Sequence, residues 1–190
     1  MILIVEGSNK VGKTTFINAL ANILEADGFI VEIQNKRPAK NNKYEVTKEK
    51  MYEVTRDDFI NALRKSLDNV KRKHVYIFDR SYISEYVYGK KYRGYENDEV
   101  LKLDKFISEI PFVEQILLCS TYTHIEDNAK VLEYMDIQYK MMTQIMKCES
   151  MFSVQFIENE NAAGNLAVAY AKRIDSKMKR SSYINSEQNT

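Results

Sequence analysis

Gly7-Ser8-Asn9-Lys10-Val11-Gly12-Lys13-Thr14-Thr15 sets two glycines, a lysine and a threonine at the spacing G-x-x-x-x-G-K-[ST]. Each residue type has a chemical reason to be there. Gly7 and Gly12 let the backbone turn sharply, so that consecutive N–H groups point inward at phosphate oxygens. A helix beginning at the end of the turn adds a partial positive charge. The Lys13 ammonium can reach β- and γ-phosphates, and the Thr14 hydroxyl can ligate Mg²⁺. The pattern predicts that residues 7–15 bind a nucleoside triphosphate with its magnesium. The bland alternative is a glycine-rich helix start that holds nothing. The apolar run Ile2-Leu3-Ile4-Val5 before the turn and the amphipathic pattern after it favour the phosphate reading.

A second constellation is Asp79-Arg80-Ser81, directly after Val75-Tyr76-Ile77-Phe78. A carboxylate at a strand end beside a phosphate-binding turn can hold a metal directly or through water. Arg80 can stabilise charge on a phosphoryl group in transfer. Asp79 and Thr14 are thus the candidate metal ligands, and Lys13, Arg80, Asp79 and Lys10 the candidate catalytic residues. An Asp-Arg pair is by itself common as a strand-end salt bridge, so this signal depends on the first.

Around these residues the chain alternates strand and helix patterns. Apolar runs predict strands at 2–5, 29–33, 75–78, 115–119 and 154–157. Helical periodicity predicts helices at 13–26, 57–71, 98–109, 130–148 and 162–177. Asp27-Gly28 ends the first helix, and Ile110-Pro111 ends the third. In the second, Phe59, Ile60, Leu63, Leu67 and Val70 form the apolar stripe. Residues 34–54 carry many charges without a clean period. Such alternation predicts an α/β fold with a parallel sheet covered on both faces. A single domain over 1–178 is expected, followed by a flexible Ser/Asn-rich tail over 179–190.

Composition narrows the classes. The chain has 190 residues, 44% apolar and 29% charged, the mix of a globular domain. Its 28 basic and 27 acidic residues argue against a nucleic-acid coat or a polybasic membrane binder. Cys119 and Cys148 lack metal-type spacing and read as reduced thiols. The opening apolar run is too short for a signal segment, and no run approaches membrane-spanning length. The expected location is therefore cytoplasmic.

Val5-Glu6-Gly7 through Thr15, together with Phe78-Asp79-Arg80-Ser81, resembles the thymidylate kinase and deoxynucleoside kinase superfamily. The likeness continues through Tyr86-Val87-Tyr88-Gly89 and Tyr92-Arg93-Gly94, a texture similar to viral thymidylate kinase-like proteins. A viral source would make the compartment the host cytoplasm. Residues 131–145 resemble the helix that follows the lid. The resemblance covers residues 1–20 and 75–95 well and 34–55 poorly. It implies a P-loop NTPase fold, three-layer α/β/α with a five-stranded parallel sheet, ATP as donor, Mg²⁺ as cofactor and a small nucleotide as acceptor. Members pair through helices as dimers, so a homodimer is implied as well.

Two branches of that superfamily differ in acceptor. A nucleoside 5′-hydroxyl must lose a proton, and nucleoside kinases place a Glu just after the second strand as base. Here Ile33-Gln34-Asn35-Lys36-Arg37-Pro38 offers no carboxylate and two cations. A monophosphate acceptor needs cationic clamps instead. Arg37, Arg56 and Arg93 are the candidate clamps, and Tyr86 and Tyr88 the aromatics that could touch the acceptor. Solvated charge, and half-buried packing for the tyrosines, are the bland readings. The lid, about residues 120–130, lacks arginine, whereas Lys10 puts a cation inside the glycine turn. That exchange supplies the extra positive charge from another segment. Asn9 departs from the Asp found there in many thymidylate kinases. The favoured expectation is phosphorylation of a (deoxy)nucleoside monophosphate, with dTMP or a related pyrimidine nucleotide first. A deoxynucleoside kinase and a non-kinase P-loop NTPase module are the alternatives. His74 and His124 receive no role, and Met135, Met141, Met142 and Met146 suit core or dimer packing.

Overall fold

The apolar run at the start of the chain forms the central strand of a parallel sheet. The structure, a computed structural model, describes residues 1–8, 11–35, 56–57, 60–65, 68, 73–84, 86–87, 99–110, 112–120, 137, 152–156 and 160–187. Strands β1 (Ile2–Glu6), β2 (Ile30–Asn35), β3 (His74–Asp79), β4 (Val113–Ser120) and β5 (Phe152–Phe156) lie in the order β2-β3-β1-β4-β5. All four ladders are parallel. Helices α1 (Lys13–Ala26), α2 (Glu99–Ser108) and α3 (Glu160–Glu187) connect and cover them. Residues 56–57, 60–65 and 68, and again 82–84 and 86–87, are also helical. The α/β class with an all-parallel sheet, expected from the alternation, is what the chain forms.

Period-two alternation explains why every residue of β1 is apolar up to Glu6. Leu3, Val5, Val75, Ile77, Ile116 and Leu118 join one core cluster with Phe16, Leu20, Leu24, Ala167, Tyr170 and Ile174. Ile2, Ile4, Tyr76, Phe78 and Leu117 join the other, with Ala62, Tyr82, Ile83, Val87, Leu103 and Ile107. A strand buried on both faces has no solvent side to make polar. On the first face α1 packs against α3, and Phe16 meets Tyr170 edge to face at 5.7 Å. Buried Glu114 on β4 ties α3 to the sheet, taking Arg173 at 3.1 Å together with Lys177. His74, to which the sequence assigned no role, stacks on Tyr76 at 4.4 Å, with Nε2 3.1 Å from Glu32.

Helix α1 ends as its sequence dictates. Gly28 takes φ 77°, Gly28 N–H donates to Glu25 O at 3.0 Å, and Phe29 N–H to Leu24 O at 2.9 Å. This is a Schellman turn, and its C″ residue Phe29 is buried in the core beside Leu24. Phe29 therefore belongs to the turn rather than to β2, which starts at Ile30 and runs to Asn35 instead of 29–33. The ladder Ile30↔His74 to Asn35↔Asp79 sets those limits. Likewise β3 gains His74 and Asp79, β4 spans Val113–Ser120, and β5 starts at Phe152. Helix α2 is trimmed to Glu99–Ser108. The expected helix end at 177 is corrected: α3 continues to Glu187. No Gly or Pro follows Gly164 in that stretch, and Ser and Asn cost a helix only a few tenths of a kcal/mol each. Of the expected helix 130–148 only Ile137 is among the described residues, and it is helical.

Candidate functional site

The chain leaves β1 toward β2 and β3 on one side and later returns to β4 and β5 on the other. β1 is therefore the strand at which the topology reverses, and in open parallel sheets ligands bind at the carboxyl ends of strands at that point. The segment at the carboxyl end of β1 is Gly7 to Gly12.

Gly7 has φ 141°, and a Cβ there would lie 2.3 Å from the Leu118 carbonyl oxygen of β4. Only glycine lets the backbone pass so close to β4. Ser8 is fully buried, and Val11 anchors the far side of the turn in the core. Gly12 is the N-cap of α1 with φ 86° and ψ 12°, and no side chain caps the helix. The first helical bond is Phe16 N–H to Gly12 O at 2.9 Å, so the earlier N–H groups lie outside the helical ladder. The first turn holds no acidic residue, which leaves its positive end without a competing carboxylate. Lys13 is only 6% exposed. Its Nζ donates to Gly7 O at 2.8 Å and to Ser8 O. The ammonium thus folds back over the turn it follows. Thr14 and Thr15 stand exposed at the open end of the helix.

β3 ends alongside, with Asp79 in register with Val5. Asp79 and Arg80 are each 5% exposed. Arg80 N–H donates to Val5 O at 3.0 Å, which extends the β1–β3 pairing one step. Arg80 nonetheless has φ 74°, a left-handed conformation that costs a non-glycine residue about 1 kcal/mol or more. The turn aims residues 82–84 into a helix, and Arg80 Nη1 donates to Ser84 Oγ at 3.3 Å. Lys13, Asp79 and Arg80 are thus carried by the adjacent ends of β1 and β3.

Glu6, which no sequence argument singled out, completes this corner. It is fully buried at the last position of β1. Its Oε1 accepts Ser81 N–H at 2.7 Å and Ser84 N–H at 3.4 Å, and its Oε2 accepts Ser84 O–H at 2.6 Å. Burial pushes its carboxyl above the ordinary carboxylate range, while the Ser84 hydroxyl, the Arg80 charge and the two N–H groups pull the other way. One signal was available in the sequence: a charged residue ending a run of buried apolar ones needs partners from neighbouring strands. Behind it, Tyr82 O–H donates to Asp104 Oδ1 at 2.9 Å and accepts Gln115 Nε2 at 2.6 Å.

The remaining expected residues are placed differently. Arg56 is partly exposed, and its Nε and Nη2 both donate to Asp57 Oδ1 at 3.2 Å. Tyr86 is half-buried and packs against the second core cluster. Asn9, Lys10, Arg37, Tyr88, Arg93 and lid residues 121–130 lie outside the described residues. Among the described residues no group of three or more His, Cys, Asp or Glu is placed to hold a metal ion, and no helix is long and apolar enough to cross a membrane.

The fold and site together define an α/β protein with a Gly-Lys-Thr turn at the reversal point of a parallel sheet. Neither a family model nor a curated protein matches the chain.

Proposed function

We propose that the chain has a P-loop NTPase fold, is similar in kind to the thymidylate kinases, and transfers the γ-phosphoryl group of ATP to a nucleoside monophosphate. The observation that carries this reading is the Lys13 ammonium held over the Gly7 and Ser8 carbonyls at the N-terminus of α1. Those carbonyl bonds keep the cation in place until phosphate oxygens offer it stronger, charged acceptors. The uncapped N–H groups of α1 then cradle the β-phosphate. Magnesium, held through Thr14, Asp79 and phosphate oxygens, would neutralise phosphate charge. One or two protein oxygens plus substrate phosphates is a donor set that suits this ion. Arg80, at the end of β3, supplies further positive charge to the phosphoryl group in transit.

A monophosphate acceptor is favoured over a nucleoside by what β2 offers. Its last residues are Ile33, Gln34 and Asn35, with no carboxylate. Glu32, the carboxylate within β2 itself, is turned to His74 at 3.1 Å and Lys65 at 3.6 Å, and Asp79, the ladder partner of Asn35, is assigned to magnesium. A 5′-hydroxyl would find no base there, whereas Lys36 and Arg37 follow directly in the chain. The reading places dTMP or a related pyrimidine nucleotide first among acceptors.

Lys13→Ala tests the assignment. Diphosphate formation from ATP and a panel of monophosphates and nucleosides should fall by on the order of 10²-fold or more, with an unchanged circular-dichroism spectrum. Parental turnover in folded Lys13→Ala would rule out the mechanism. Slow ATP hydrolysis with no acceptor used would favour a regulatory NTPase instead.

A further inference from the structure

Arg80 does not hold its position by its own conformational preference. It is left-handed, buried, and followed at once by a helical turn. What stands behind it is a carboxylate from another strand. Glu6 lies 75 residues from Ser81 and 78 from Ser84 in sequence, yet receives donors from both. We propose that Glu6 is a positioning residue, which acts through Ser84 to fix the Arg80 guanidinium at the adjoining ends of β1 and β3. The proposal rests on the kinase reading above and adds to it the residue that sets Arg80.

The direction of the hydrogen bonds carries the inference. Both oxygens of the Glu6 side chain accept, Oε1 from two N–H groups and Oε2 from the Ser84 hydroxyl. Ser84 must therefore point its O–H at Glu6 Oε2, which turns its oxygen lone pairs outward. One of them receives Arg80 Nη1 at 3.3 Å. The same carboxylate draws the Ser81 and Ser84 N–H groups inward through Oε1, which shapes the turn that Arg80 begins. One buried group thus fixes both the backbone after Arg80 and an acceptor for its side chain. Glutamine at this position would keep the shape and reverse the polarity. Its amide N–H₂ would donate to Ser84 Oγ, where Arg80 also donates, and the Ser84 proton would lose the Glu6 oxygen that accepts it. Moreover, Glu6 directly precedes Gly7, so the residue that sets Arg80 also opens the turn that carries Lys13.

Two variants and a control test this. The Arg80 Nε–Hε NMR cross-peak, assigned by its loss in Arg80→Lys, reports the guanidinium without reference to activity. It should shift or broaden in Glu6→Gln and in Ser84→Ala, the second of which leaves the carboxylate in place. With ATP, Mg²⁺ and dTMP, kcat of both should fall about tenfold or more while KM for ATP stays within about twofold. Asp104→Asn, which disturbs the neighbouring Tyr82 network, should lower Tm and leave the cross-peak and kcat at parental values. An unmoved Arg80 signal in both test variants overturns the proposal, whatever happens to Tm. A moved signal with parental kcat overturns the role in the reaction. A parent enzyme that neither binds ATP nor turns it over refutes the kinase reading, and the cross-peak then still decides whether Glu6 positions Arg80.

Discussion

Replacing Gly7 by alanine should destabilise the protein by more than the same change at Gly28 or Gly164, and the size follows from two separate causes. A Cβ at Gly7 would sit 2.3 Å from the Leu118 carbonyl oxygen and 3.1 Å from Val11 Cγ2. Both neighbours are fixed, one by the β4–β5 ladder and one by the core. Overpacking of this kind costs about 1–3 kcal/mol. The backbone at φ 141° adds about 1–3 kcal/mol for a residue with a side chain. The sum, roughly 2–6 kcal/mol, compares with about 5–15 kcal/mol for the whole stability of a typical domain. For a chain of this length each kcal/mol shifts Tm by about 2–4 °C, so a fall of roughly 4–24 °C is expected. Gly28→Ala separates the causes. Its φ is 77° but nothing lies within 4 Å, so only the backbone penalty of about 1–2 kcal/mol applies. Gly164→Ala, inside α3 with nothing within 4 Å, should stabilise by about 0.5–1 kcal/mol. Thermal unfolding followed by circular dichroism ranks the three. A Tm for Gly7→Ala within about 1 °C of the parent, or equal to that of Gly28→Ala, would refute the close approach of Gly7 to β4 as the reason for glycine.

Further outcomes follow from the same residues. If Lys10 replaces the cation that the lid lacks, Lys10→Ala lowers turnover by on the order of 10²-fold with little change in acceptor KM; a change under twofold assigns that charge elsewhere. In paired kinetics dTMP should far outperform thymidine, and Arg37→Ala should weaken only the monophosphate; thymidine as the better substrate in both enzymes would move the assignment to the nucleoside kinase branch. Burial raises the Glu6 carboxyl, so the folded chain holds that proton more tightly than the unfolded one. Its contribution to stability is full below the unfolded carboxylate value of about 4.3 and is lost as pH rises through the raised folded value. The Tm of Glu6→Gln measured against the parent should therefore climb as pH rises from about 4, and a constant difference up to about pH 8 contradicts the shift.

What the sequence made legible was local. Helix Lys13–Ala26 could be read residue by residue, because the apolar stripe and Asp27-Gly28 are short-range signals. The ends of β2 and β3 were not, since polar His74 and Asn35 become strand only by pairing across the sheet. The packing reading of the tyrosines fits Tyr82, whose hydroxyl lies between Asp104 and Gln115. Glu6 escaped notice for the same reason as the strand ends. In one dimension it is a charge at the edge of a loop, and its hydrogen-bond partners Ser81 and Ser84 are more than seventy positions away.

The strain at this corner and its rigidity have one source. Gly7 is pressed against β4 while Arg80 is bonded to Val5 of the same central strand. β1 is paired on both sides over nearly its whole length and buried on both faces, so neither contact can relax by moving the strand. A cation on a flexible loop must be ordered when the phosphate arrives, at a cost of about 1–2 kcal/mol per side chain. Lys13 and Arg80 are already buried and hydrogen-bonded, and that ordering is complete before any ligand binds. Residues that meet the variable part of a substrate gain less from such fixing. It is consistent that Arg56, an acceptor-side candidate, lies partly exposed against its neighbour Asp57. On the proposed kinase reading, the sheet would fix the groups that act on phosphate charge, which every nucleotide shares, and the choice of base would fall to side chains beyond the strand ends.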